Sequence, residues 1–104
     1  MTDHAVTAQT LPRGVNMSNL IVLKITPSVA VPQNDTMTGT IPTGLDVTYI
    51  PVFAVAWHSA TPKTSVAVTV TSYNFTTGQF VLTVSGAAGI SAGDEVFVQF
   101  IGDQ

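Results

Sequence analysis

Residues 66–84 read VAVTVTSYNFTTGQFVLTV, and their pattern decides the fold class. Val66, Val68 and Val70 alternate with Ala67, Thr69 and Thr71. A period of two places the valines on one face of an extended strand and the smaller or more polar residues on the other. Phe80-Val81-Leu82-Thr83-Val84 is a second run rich in β-favouring residues. Between the two runs lies NFTTGQ, residues 74–79, in which Gly78 is able to take the left-handed conformation that closes a short hairpin. The stretch reads as two antiparallel strands joined by a tight loop.

The same reading extends in both directions. Towards the C-terminus, GAAGISAGD (residues 86–94) is a small-residue loop, and EVFVQFI (residues 95–101) is a last strand. Val96, Val98 and Phe100 share one of its faces, and Phe97, Gln99 and Ile101 share the other. Apolar side chains on both faces imply that both are covered. Towards the N-terminus, VTYIPVFAVAW (residues 47–57) is the most apolar stretch. Phe53, Val55 and Trp57 point one way along it, and Val52, Ala54 and Ala56 the other. Pro51 has no amide hydrogen to give a ladder, so it marks an edge or a bulge. HSATPK (residues 58–63) is a loop. Residues 36–41 form a short Thr-rich strand ended by Pro42-Thr43-Gly44. Pro27 and Pro32 interrupt the segment before it, which reads as an edge strand or an irregular crossing. NLIVLKI (residues 19–25) is a first strand. No segment keeps a period of 3.6 over three turns. These features predict an all-β, single-domain antiparallel β-sandwich or small barrel of about six strands over residues 18–104. It is preceded by an extended N-terminal arm, residues 1–17, which is polar and interrupted by Pro12 and Gly14.

Composition points to a contact protein. With 104 residues the chain holds one core. Only 9% of its residues are charged, against about 25% in ordinary soluble proteins. Thr, Ser, Val and Ala take the places that Lys and Glu usually hold. Such a surface suits permanent assembly, because interfaces are depleted of charge; the alternative is a monomer kept soluble by its Thr and Ser hydroxyls. The formal net charge is −3, and Arg13, Lys24 and Lys63 are the only cations. Three scattered cations cannot displace counterions from phosphate, so neither nucleic acid nor an anionic membrane is an expected partner. There is no cysteine, which excludes disulfides and thiolate metal sites. No run approaches the ~18 apolar residues of a membrane helix, and residues 1–14 have no leader-like pattern. Three Asn-x-Ser/Thr triplets, at Asn16, Asn34 and Asn74, are read as chance.

No catalytic, metal or cofactor site is expected. His4 and His58 lie far apart and show no ligand spacing. His58-Ser59 lacks the turn motif that exposes a nucleophilic serine. Asp94 and Glu95 are adjacent carboxylates, which a strand aims to opposite faces rather than across a shared substrate. Asp94 is expected to accept backbone hydrogen bonds within its turn, with Glu95 solvated. The glycines of residues 86–93 lack the Lys-Ser/Thr of a phosphate-binding loop and any following helix. Among the aromatics, Phe53, Trp57, Phe80 and Phe100 are expected in the core. Tyr49, Tyr73, Phe75 and Phe97 are free to be exposed, and Tyr49, Tyr73 and Phe75 form a possible binding surface.

The run VAVTVTSYNFTTGQFVLTVSGAAGISAGDEVFVQFIG, residues 66–102, resembles the small β-structured head decoration (cement) proteins of tailed bacteriophages. The cysteine-free Thr/Val/Gly/Ala-rich composition and the N-terminal arm are similar too. The resemblance implies a virion structural protein on the outer surface of the capsid, clustering as a homotrimer and bridging copies of the major capsid protein. Under that reading the capsid-contacting arm offers Thr2, Asp3, His4, Val6, Leu11, Pro12, Arg13, Val15 and Met17. Phe97, Gln99 and Ile101 are the expected contact between copies. The alternative is another virion β-module, a tail or fibre domain that binds a carbohydrate or protein receptor through Tyr49, Tyr73 and Phe75.

Overall fold

A computed structural model describes residues 2–10, 20–42, 49–60 and 63–101. They form eight strands: β1 (Asp3–Ala5), β2 (Ala8–Thr10), β3 (Leu20–Ile25), β4 (Thr36–Thr40), β5 (Ile50–Trp57), β6 (Ser65–Tyr73), β7 (Gln79–Val84) and β8 (Glu95–Ile101). Among the described residues there is no helix. The strands make one sheet in the order β1-β4-β7-β6-β5-β8-β3-β2, curled strongly into a half-barrel. The all-β expectation holds, as one curled sheet rather than two stacked ones. The expected all-antiparallel pairing holds for every pair except β1·β4, which is parallel.

The hairpin anticipated from residues 66–84 is β6–β7, antiparallel with Thr69 opposite Thr83. Its turn is built as the sequence suggests. Gly78 has φ 76°, the Asn74 amide donates to the Gln79 carbonyl, and the Asn74 side chain accepts the amides of Thr76 and Thr77. The segment flanked by Pro27 and Pro32 is a crossing rather than a strand. Within it Val31 forms a bridge with Ile90, each amide donating to the other's carbonyl at 2.8 and 2.9 Å.

The concave face of the sheet is the core. Alternate residues of each long strand point into it: Leu23 and Ile25 of β3, Met37 of β4, Phe80, Leu82 and Val84 of β7, and Val96, Val98 and Phe100 of β8, all essentially inaccessible. Phe80 and Phe100 meet edge to face at 6.0 Å, and Tyr73 packs edge-on against Phe100. Each such side chain contributes about 1.5–3 kcal/mol of transfer free energy. Side chains crowd on the concave side of a tight curl, and β5 meets this with Ala54 and Ala56, both buried.

The N-terminal segment is part of this sheet. β1 pairs with β4 at one end of the strand order and β2 pairs with β3 at the other. Only Val6 and Thr7 separate β1 from β2. One short stretch of chain thus reaches both terminal ladders, and the Val6 amide continues the first by donating to the Thr38 carbonyl.

Candidate functional site

Among the described residues two features stand out: an apolar patch and a cluster of chemistry-bearing side chains. The patch lies on the convex face of β3, β8 and β5. Register places Ile101 between Leu20 and Ile50, Gln99 between Val22 and Phe53, and Phe97 between Lys24 and Val55. At Pro51–Phe53 the β5·β8 register shifts. This is the bulge that Pro51 signals, and it leaves Val52 as the extra residue. Val52 and Phe53 are consecutive and both exposed, as are Ile50, Trp57 and Ile101. The convex face of β6, β7 and β4 is different in kind. There Thr69, Thr83 and Thr36 lie opposite one another across three strands, and Thr71 shares a hydrogen bond with Thr83. Among the described residues, the β3, β8 and β5 side of the outer face is mainly apolar and the β6, β7 and β4 side is mainly threonine.

Phe53 and Trp57 are therefore not core residues, contrary to the sequence reading, while Phe80 and Phe100 are. The physical reason is the curl. Alternation shows which residues share a face but not which face is inside; the sheet curls so that Ala54 and Ala56 face the core, and Phe53 and Trp57 lie on the convex side. Tyr49 corrects the reading in the opposite sense. It is buried, which removes it from any exposed aromatic surface. Phe75 is the most exposed large hydrophobic residue among those described, at 59%. It stands at the β6–β7 turn with its ring edge-on to half-buried Tyr73 at 5.6 Å. The two line an open cleft of about 510 Å³ with Ser72, Asn74, Thr76, Gln79 and Val81. Phe97 and Gln99 are half-buried and Ile101 exposed, all three on the face assigned to contact between copies.

The second feature is a cluster around Asp94 at the start of β8, which is 3% exposed. One carboxylate oxygen accepts from the Ser59 amide at 3.0 Å and faces the Ser59 hydroxyl at 3.4 Å. The other accepts from the Ser91 amide at 2.9 Å and meets His58 Nδ1 at 2.7 Å. Burial alone would raise the Asp94 pKa. The two amides and the His58 ring outweigh it and hold the carboxyl below the usual carboxylate value. The expected turn bond is present, but the tie to residues 58–59, some 35 positions away, has no signal in sequence spacing. His58, Ser59 and Asp94 are the residue types of a hydrolytic triad. A triad needs serine to donate to histidine, whereas Ser59 Oγ lies against Asp94. The arrangement anchors a loop. Glu95, expected to be solvated, instead pairs with Lys24 at 3.2 Å and Lys63 at 3.8 Å. No group of three or more His, Cys, Asp or Glu side chains able to hold a metal occurs among the described residues.

Of the expected capsid-contacting residues, Thr2, Asp3, His4 and Val6 hold the N-terminal segment to its own sheet. Asp3 accepts hydrogen bonds from the hydroxyls of Thr36 and Thr38 at 2.7 and 2.6 Å. Asp35 accepts from the Thr2 amide at 3.1 Å and lies 3.0 Å from His4 Nε2. Val6 packs against the core. Leu11, Pro12, Arg13, Val15 and Met17 lie outside the described residues.

Compared with protein-family models, curated proteins and solved structures, the chain matches none.

Proposed function

We propose that this chain is a virion structural protein of a tailed bacteriophage, a decoration protein that seats on the outer surface of the head and bridges copies of the major capsid protein. The observation that carries the proposal is the apolar patch on the convex face of β3, β8 and β5 in a chain with only 9% charged residues. A domain with an interior of its own has no use for Phe53, Trp57 and Ile101 on its outside unless protein covers them. The resemblance of residues 66–102 to head decoration proteins supplies the kind of assembly, in which copies of the chain contact one another as well as the capsid. Many weak apolar contacts repeated over a lattice add up to firm attachment.

Because residues 2–10 belong to the sheet, shortening the N-terminal arm would disturb the fold as well as any contact it makes. The clean test is co-sedimentation with capsid shells assembled from the major capsid protein of the same genome. Saturable binding at a fixed number of copies per shell supports the reading, and no binding at micromolar concentrations defeats it.

A receptor-binding tail or fibre module is the second reading, favoured by Phe75 at the exposed β6–β7 turn and the cleft it shares with Tyr73. A glycan array that retains the wild-type chain and loses Phe75→Ala would support it.

A further inference from the structure

We infer that the patch on β3, β8 and β5 is covered by a second copy of this chain, related by a two-fold axis that passes beside Gln99. The inference rests on the reading that protein covers this face, and it names which protein does so.

Gln99 is the argument for a copy. It occupies the middle of the central strand of the patch. Val22 and Phe53 are its cross-strand neighbours, and Phe97 and Ile101 precede and follow it on the same face. Its carboxamide makes no side-chain hydrogen bond to another described residue. A lone amide surrounded by apolar groups is costly to cover with an apolar partner, because donor and acceptor would both be left unmade. It is met completely by another amide, since each supplies what the other lacks. A two-fold axis at this point sets Gln99 against itself and reproduces the way a single buried amide fixes register in paired helices.

Area and symmetry agree with this. Ile50, Val52, Phe53, Trp57 and Ile101 are between 39% and 55% exposed. With their half-buried neighbours they present on the order of 500 Å² of apolar surface, at the top of what solitary domains leave open. Adding the rim of Lys24, Glu95 and Lys63, already paired among themselves, brings each partner near the ~800 Å² of a stable interface. A single patch mated to itself makes a two-fold pair, whereas a ring of three needs two different complementary surfaces. The sheet is convex here, which confines the contact to β8 and its two neighbours and puts Gln99 at its centre. The pair in solution is therefore a dimer, in place of the trimer that the family resemblance implies.

The test is a charge swap on the axis, read by light scattering behind size exclusion and by sedimentation velocity from micromolar to near-millimolar concentration. Wild type is expected to dimerise. Gln99→Glu and Gln99→Lys each place like charges together and should weaken association about 100-fold, while an equimolar mixture of the two should dimerise again. Thr40→Glu, on the threonine side, should dimerise like wild type, and circular dichroism of each variant checks its fold. A wild type that stays monomeric throughout overturns the inference. So does a dimer unmoved by Gln99→Glu, or a mixture that fails to restore the pair. A monomeric chain that still binds capsid shells overturns the dimer alone, and a dimer that ignores the shells overturns the decoration reading alone.

Discussion

At the scale of single residues, Asp94 shows how a buried charge becomes a structural element. Four groups converge on its two oxygens, and they come from two loops distant in sequence. The carboxylate replaces its lost water with two backbone amides, a hydroxyl and an imidazole, which is what makes its burial tolerable. Asp94→Ala strands the Ser59 and Ser91 amides and should destabilise the fold by about 2–3 kcal/mol. His58→Ala removes one neighbour and leaves both amides satisfied, so its cost should be about 1 kcal/mol. Urea denaturation of the two variants checks the order; a larger loss for His58→Ala would contradict this account. The turn bond within residues 91–94 was legible, because Asp at such a position usually accepts local amides. The tie to Ser59 was not, since no short-range pattern encodes a contact between two loops.

Among the elements, legibility followed locality. The β6–β7 hairpin and β8 were readable because alternation and turn chemistry lie within a few neighbouring residues. In β5 the alternation was equally plain, but it left open which face was inside, and the curl of the sheet decided that in favour of Ala54 and Ala56. β1 and β2 are three residues each and owe their existence to ladders with β4 and β3, so nothing within residues 2–10 announces them. Their hold is correspondingly specific. Asp3→Ala frees the Thr36 and Thr38 hydroxyls and should cost about 1 kcal/mol. In hydrogen exchange the amides that bind β1 to β4, those of Val6 and Thr36, should then exchange severalfold faster while Leu82 and Val98 stay protected; uniform loss of protection would show that β1 does not open separately. The passage from β7 into the following loop is also tight. Gly86 donates to the Ala67 carbonyl, and a Cβ there would stand 2.6 Å from Val66 Cγ1 and 3.0 Å from the Ala67 backbone nitrogen. Backbone cannot move aside as a side-chain end can, so Gly86→Ala should cost about 1–3 kcal/mol in thermal or chemical denaturation.

At the scale of the whole sheet, the described residues divide its outer face between a mainly apolar side and a mainly threonine side, with few charges on either. The charged side chains among the described residues are engaged. Of the chain's six carboxylate side chains, Asp3, Asp35 and Asp94 all lie below the ordinary carboxylate value. The Thr38 and Thr36 hydroxyls lower Asp3, His4 and the Thr2 amide lower Asp35, and the amides of Ser59 and Ser91 with His58 lower Asp94 against the opposing effect of burial. These shifts fix the sign of one dependence on pH. An unfolded chain takes up protons at these aspartates near pH 4, while the folded chain still resists them. Below that point the unfolded state binds more protons, so acid favours unfolding. The stabilisation from all three is complete above the unfolded value and is lost as pH falls through the folded values. Two of the three groups, Asp3 and Asp35, hold β1, so acid should loosen the N-terminal segment together with the loop that Asp94 anchors. Denaturation midpoints between pH 5 and pH 3 should fall steeply for wild type. The double variant Asp3→Asn, Asp35→Asn should be less stable at pH 5 and should fall less steeply below it, because only Asp94 of the three is left to titrate. Parallel curves for the two proteins would mean that the aspartates of β1 and its partner loop contribute nothing to acid sensitivity.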